Sequence, residues 1–326
     1  MAPSKLRAIR IVKVHPTKLR EFAAKKKSPR KTKGGHHAPG AAPIAPGFKP
    51  RPDLNLQQFR GKTVQALSFT NVYLGSSAWA DSDIANIDQS LSAAMSDPTL
   101  NNVIAQYFSG PITSTFLGSR RSTAPVDATY TRDSVSQTLN QLVSSGQLAG
   151  VDFPNAVINL LLPPGTILDT TASAGVGDLD DKDSSLNGLG GYHGSHVAPD
   201  GTVIYFAAAV YSEQKGNETN GIPIWPDSWK NVVATLYHEL NEARTDADVE
   251  DAMRKNNNDL LGWYSTSANG EIGDIPIAEA GNDLHAVFVE VTLASGLTAP
   301  VQLMWSNAAG GPGEPFASVG AHQPMH

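Results

Sequence analysis

A chain of 326 residues without a single cysteine has no disulfides, no cysteine-bound zinc and no thiol nucleophile. Its formal charge of −6 hides a division: residues 1–51 hold 14 of the 25 lysines and arginines against one acid, Glu21, and the remainder holds 11 basic and 30 acidic residues. The composition therefore predicts two objects joined end to end, a basic disordered tail and linker over residues 1–52 and one folded domain over 53–326, long enough to bury a sizeable core.

In the tail, Lys25-Lys26-Lys27 through Lys33 is followed by Gly34-Gly35 and an Ala/Pro-rich stretch to Pro52. Such an arm suits loose contact with nucleic acid, an anionic surface or the chain's own acidic body, and equally a solubilising leader. No segment supplies a secretory apolar region or an 18-residue apolar run, so neither a standard signal peptide nor a membrane span is expected. The low share of charged residues, 17%, with abundant Gly, Ser, Asn and Thr, leans towards an exported protein.

Along the body, Val64 to Leu74 alternates as a strand does, and Ser82 to Met95 sets Ile84, Ile87 and Leu91 on one helical stripe. Leu100 to Phe108 reads as a second helix behind Asp97-Pro98. A third runs from about Arg132 to Leu148, with Val135, Leu139 and Leu142 inward and Gly146 near its end. Ala156 to Leu162 is a buried strand stopped by Pro163-Pro164. Between Asp169 and Gly191, Asp178, Asp180, Asp181 and Asp183 invite calcium. The EF-hand spacing fails there, because Asp183 falls where glycine is needed and Leu189 where the bidentate glutamate belongs, so a solvated acidic loop is the expectation. Gly190-Gly191-Tyr192-His193-Gly194-Ser195-His196 reads as a loop ahead of a strand, Thr202 to Val210.

Residues 237–246, Tyr-His-Glu-Leu-Asn-Glu-Ala-Arg-Thr-Asp, place His238 and Glu242 four apart on a helix with Glu239 between them. Residues i and i+4 share a helix face, so an imidazole and a carboxylate can converge on one ion. The zinc peptidase motif has a second histidine where Glu242 stands, and a carboxylate is an acceptable zinc ligand there. Trp229, Val233, Leu236, Leu240 and Ala243 form the apolar stripe, leaving His238 and Glu242 on the opposite side. That side reads either as a solvated face or as the lining of a cleft. Downstream, Asn269-Gly270-Glu271-Ile272-Gly273-Asp274 adds two carboxylates in a Gly-punctuated turn. His285, before Val287-Phe288-Val289, reads as a structural histidine.

The strings "GGYHGS", "YHELNEARTD", "GWYSTSANGEIGD" and "VQLMWSN", in that order from Val64 to Asn307, resemble the phosphate-induced protein (Exordium-like) family and its bacterial relatives. The resemblance implies that His193, His238, Glu239, Glu242, Asp246, Glu271 and Asp274 are shared polar residues, and it implies an extracellular or cell-surface protein. Two positions depart from the family pattern: Ala247 stands for the usual proline after Thr-Asp, and Pro276 for a cysteine.

These readings combine into a mixed α/β single domain, zincin-like around the His238 helix. His193, His238 and Glu242 form an expected N/N/O zinc set, with Asp274 as a competing or additional ligand. Glu239 is the expected general base towards a metal-bound water, and Tyr192 or Tyr237 the oxyanion stabiliser. The substrate class is a peptide or another small molecule. The alternative is a non-catalytic surface protein in which the same residues form a structural metal site or a hydrogen-bonded core. A serine hydrolase is disfavoured because Gly194-Ser195-His196 lacks the nucleophile elbow, and no phosphate-binding Gly-Lys-Ser/Thr loop occurs. Trp225, Trp229, Trp263 and Trp305 offer stacking faces for carbohydrate, yet scattered tryptophans usually belong to the core or its rim.

Overall fold

Leu67, Phe69 and Tyr73 on one side and Val72 and Leu74 on the other are all buried, so the strand they form, β1 (Ala66–Tyr73), must be covered on both faces. A computed structural model describing residues 43–170 and 184–316 places it inside a five-stranded sheet. The other strands are β2 (Thr113–Arg121), β3 (Ala156–Leu161), β4 (Gly191–Val197) and β5 (Val203–Ala209), in the order β2-β1-β3-β5-β4. All neighbours run parallel except the edge strand β4, which lies antiparallel to β5 with His193 opposite Ala207.

Two helices cover one face of the sheet, α1 (Asp81–Ser96) and α4 (Ser228–Thr245), while α3 (Arg132–Ser144) covers the other. Each begins or ends for local reasons. Asp81 and Asp83 sit favourably in the first turn of α1, and Thr131 caps α3 by accepting from the Ser134 amide. At the end of α4, buried Arg244 donates to the carbonyls of Gln65 and Thr113, tying the helix to the entry of β1 and β2. A hairpin of β6 (Phe288–Thr292) and β7 (Thr298–Gln302) lies on the side of α4 away from the sheet, joined there by the turn that leads into α6 (Asp274–Glu279). The domain is mixed α+β, and no helix among the described residues is long and apolar enough to cross a membrane.

Several boundaries differ from the sequence reading. The predicted 100–108 helix is only one turn, α2 (Asn102–Ala105), because Asp97 draws its own turn through the amides of Thr99 and Leu100. The Gly-rich segment read as a loop is strand β4, whose glycines permit close packing: a Cβ on Gly191 would lie 2.6 Å from the Ala208 carbonyl oxygen and 2.8 Å from Thr235 Cγ2. Edge strand β2 has no apolar run to announce it, its residues alternating between exposed and half-buried. Within the expected linker, Ile44 bridges Gly313 and Ala45 is buried, so residues 44–51 lie on the body. The helix α5 (Val249–Lys255) follows α4 and packs near β4. The Lys25 to Lys33 run and the acidic Asp178 to Asp183 segment lie outside the described residues.

Candidate metal centre

Helix α4 is buried from Asn231 to Thr245 on every side. Val233, Leu236, Leu240 and Ala243 pack into the sheet-side core with α1, as the stripe predicts. The opposite side is covered by β4, the 270–274 turn and β7, so the solvated-face reading fails: His238 is 6% exposed and Glu242 2%. Gly273 lets the turn approach, since a Cβ there would stand 2.4 Å from His238 Nδ1 and 2.9 Å from Glu242 Oε1. Its own amide instead donates to Glu242 Oε1 at 3.1 Å.

His193 arrives from β4, and Glu271 and Asp274 from the turn. His193 Nδ1 lies 3.3 Å from Glu239 Oε2 and 3.7 Å from Glu242 Oε2, while its Nε2 lies 3.1 Å from the Asp246 carbonyl oxygen and 3.5 Å from Glu271 Oε1. His238 Nε2 lies 2.9 Å from Glu242 Oε2 and 3.9 Å from Glu239 Oε1, and its Nδ1 is 2.6 Å from Gln302 Oε1. Gln302 Nε2 in turn donates to the Gly273 carbonyl. A His ring whose far nitrogen meets a carbonyl presents the near nitrogen's lone pair inward, the orientation that ligating histidines adopt.

Among the described residues, two sets of three donors stand within 4.8 Å of one another: His193, Glu239 and Glu242, and His238, Glu242 and Asp274. Glu242 belongs to both, and the two histidines share neither set. The single N/N/O set expected from the sequence is thus divided, with His193 drawn towards Glu239 and with Asp274 completing the His238 group.

The electrostatics are dominated by burial. Glu239, Glu242, Asp246, Glu271 and Asp274 are five buried carboxyls around two imidazoles. Burial alone would lower the His238 pKa, but the charges of Glu242 and Glu239 push it up to about 10. His193 is likewise raised, its burial outweighed by the hydrogen bond to Glu239 and the charges beside it. Burial tends to raise Glu242, yet His238 holds it below the ordinary carboxylate range. Burial, then the charge of Glu242, drives Glu271 and Asp274 well above that range, and burial carries Asp246 to about 8. Both carboxyl oxygens of Glu271 and Oδ2 of Asp246 make no hydrogen bond among the described residues. Imidazole nitrogens and carboxylate oxygens gathered in one buried cluster suit a divalent transition ion or zinc, which would take the place of the protons the cluster otherwise holds.

Tyr192 does not belong to this centre. Side chains alternate along a strand, so Tyr192 points to the opposite sheet face from His193, where its ring meets Phe206 edge-on and lies beneath the Arg132 guanidinium. Tyr237 also lies elsewhere, donating to Asn101 within the apolar core. His196 bonds Asn140 of α3 on that far face. Trp263 and Trp305 are buried core residues. Gln302 is the functional candidate that sequence reasoning missed: it sits inside the quoted "VQLMWSN" string, but nothing in its spacing links it to His238.

No protein-family model matches the chain, and no curated protein matches it. A solved structure with a related arrangement is metalloproteinase-II from Bacteroides fragilis, 15% identical, over 65% of this chain and 51% of that one, with a TM-score of 0.29. The chain thus spans about half the length of that protein. At this level the likeness carries no functional weight.

Proposed function

We propose that the protein is a metal-dependent hydrolase of the peptidase class, whose zinc is held by His238, Glu242 and Asp274 with Glu239 as the general base. The observation that carries the reading is the convergence of these buried nitrogen and oxygen donors within 4.8 Å of one another. A bound ion there supplies Lewis acidity and brings the pKa of water towards about 7. Glu239 borders the His238 group through Oε1 while its Oε2 faces His193, so His193 orients the carboxylate that would take the proton. The resemblance in "GGYHGS" and "YHELNEARTD" supports the same residues as a working set.

Elemental analysis of the purified full-length chain tests the reading, with His238→Ala and Glu242→Ala alongside. Bound zinc whose content both substitutions lower, together with cleavage of a fluorogenic peptide library, supports it. Glu239→Gln is expected to lower turnover about 10²–10⁴-fold with zinc still in the His238 group. Absence of zinc, and no gain of thermal stability on adding it, overturns the reading.

The burial of every donor favours a second reading, a structural ion in a non-catalytic surface protein of the Exordium-like kind. There Glu239→Gln would lower the melting temperature, and no peptide would be cleaved by the wild type.

A further inference from the structure

We infer that the centre takes two divalent cations rather than one, the first at His238, Glu242 and Asp274 and the second at His193, Glu239 and Glu242, with Glu242 as the bridging carboxylate. The inference rests on the metal reading above and extends it to a second site. The two donor sets meet only at Glu242, whose Oε2 is 2.9 Å from one imidazole and 3.7 Å from the other. Glu239 spans the same gap: binding the second ion through Oε2, which faces His193, would leave Oε1, which faces His238, to act as the base.

Each imidazole is prepared in the same way. The Asp246 carbonyl occupies His193 Nε2 as Gln302 occupies His238 Nδ1, which leaves one nitrogen of each ring facing the carboxylates. A His193 that served only to orient Glu239 would account for one of its contacts. It would leave unexplained the second carboxylate at the same nitrogen, Glu242 Oε2, 3.7 Å from His193 Nδ1. With the imidazoles deprotonated as ligands and all five carboxyls ionised, one dication would offset two negative charges and two would offset four. The mixed nitrogen and oxygen donors select zinc, manganese, iron or cobalt over calcium and magnesium, which take all-oxygen sites. Ions sharing a carboxylate stand about 3.5–4 Å apart, the separation of hydrolytic two-ion centres.

The probe is Mn2+ added to the metal-free full-length protein, with ions counted by elemental analysis after desalting and with electron paramagnetic resonance recorded on the same samples. The expected result is two Mn2+ per chain and an exchange-coupled spectrum. His193→Gln and Asp274→Asn should each bind one ion and give an uncoupled signal, with circular dichroism showing that they fold. The wild-type spectrum decides the matter even where a variant does not fold. One ion at saturation, two ions without coupling, or two coupled ions retained by folded His193→Gln would each overturn the inference. A single ion leaves the hydrolase reading standing, whereas no ion at all removes both.

Discussion

Helices α1 and α4 lie side by side on the same face of the sheet, and they are built on opposite terms. In α1, Ile84, Ile87, Leu91, Ala94 and Met95 are buried while Ser82, Ala85 and Gln89 remain in solvent. In α4 the hairpin and the 270–274 turn close over the side that solvent would otherwise reach. A helix with one covered face satisfies its polar residues with water. A helix covered on both must satisfy them with one another or with a ligand, because an unpaired buried charge costs several kcal/mol. The polar face of α4 is consequently the place where this chain departs from simple packing rules, and function is expected where such departures concentrate.

The largest effect should follow from removing the group both donor sets share. Glu242→Ala removes the carboxylate that both His238 and His193 approach and deprives the Gly273 amide of its acceptor. Metal affinity should fall by more than about 100-fold, beyond the range for residues that merely support a ligand, as read by competition with a chelator. Breaking this buried pair should also cost about 3–5 kcal/mol in the metal-free protein, measured by denaturant unfolding. A Glu242→Ala protein that binds metal as the wild type does would show that the polar side of α4 is a hydrogen-bonded core and nothing more.

Gln302→Leu acts one step further out. It preserves volume approximately but removes the acceptor at His238 Nδ1 and the donor to the Gly273 carbonyl, freeing both the ring and the turn that carries Asp274. The expected loss is about 10–100-fold in metal affinity. Gln302→Glu should restore most of it, since a carboxylate still accepts from Nδ1. Equal affinities in all three proteins would dissociate Gln302 from the centre.

The metal-free and metal-loaded proteins should also respond differently to pH. His238 is raised from 6.5 to about 10, so the stability its protonated form contributes is complete below pH 6.5 and is lost as pH rises through about 10. Asp246, raised from 3.8 to about 8, has the same sign: its carboxyl is buried neutral, and the folded state is disfavoured as pH climbs through that interval. The chelated protein should therefore melt at a lower temperature near pH 10 than near pH 7. Metal displaces protons from the imidazoles, so its affinity rises with pH and the gap between loaded and chelated melting temperatures should widen. Calorimetric melts in both states read the difference, and a gap that narrows instead would contradict the assignment of His238 as a ligand.

The same contrast explains what the sequence disclosed. Helix α1 was expected over 82–95 and spans Asp81–Ser96, strand β1 over 64–74 and spans Ala66–Tyr73, and β5 over 202–210 and spans Val203–Ala209. Each has a face or a run that periodicity reports. The i, i+4 pairing of His238 and Glu242 was equally legible, because it is local. Their burial was not: it depends on Gly273 and Gln302, brought in from 31 and 64 residues away. Strand β4 was hidden for a related reason. Gly191 is required by the Ala208 carbonyl and Thr235 behind it, Gly194 stands against the Glu250 side chain, and glycine in sequence signals a turn more strongly than an edge strand.

Tyr192 is the smallest test and separates position along the chain from position in space. It precedes His193 immediately, yet strand alternation turns it towards α3, against Phe206 and Arg132. Tyr192→Phe keeps the ring, its edge-on contact and its attraction for the guanidinium. Stability should therefore stay within about 0.5 kcal/mol, with metal content and any hydrolysis of the peptide library unchanged. His193→Gln, one residue on, should alter the metal stoichiometry. If Tyr192→Phe instead lowered turnover while metal content held, the far face of β4 would have to communicate with the centre through the strand itself, and the division of the sheet into a packing face and a metal-binding face would fail.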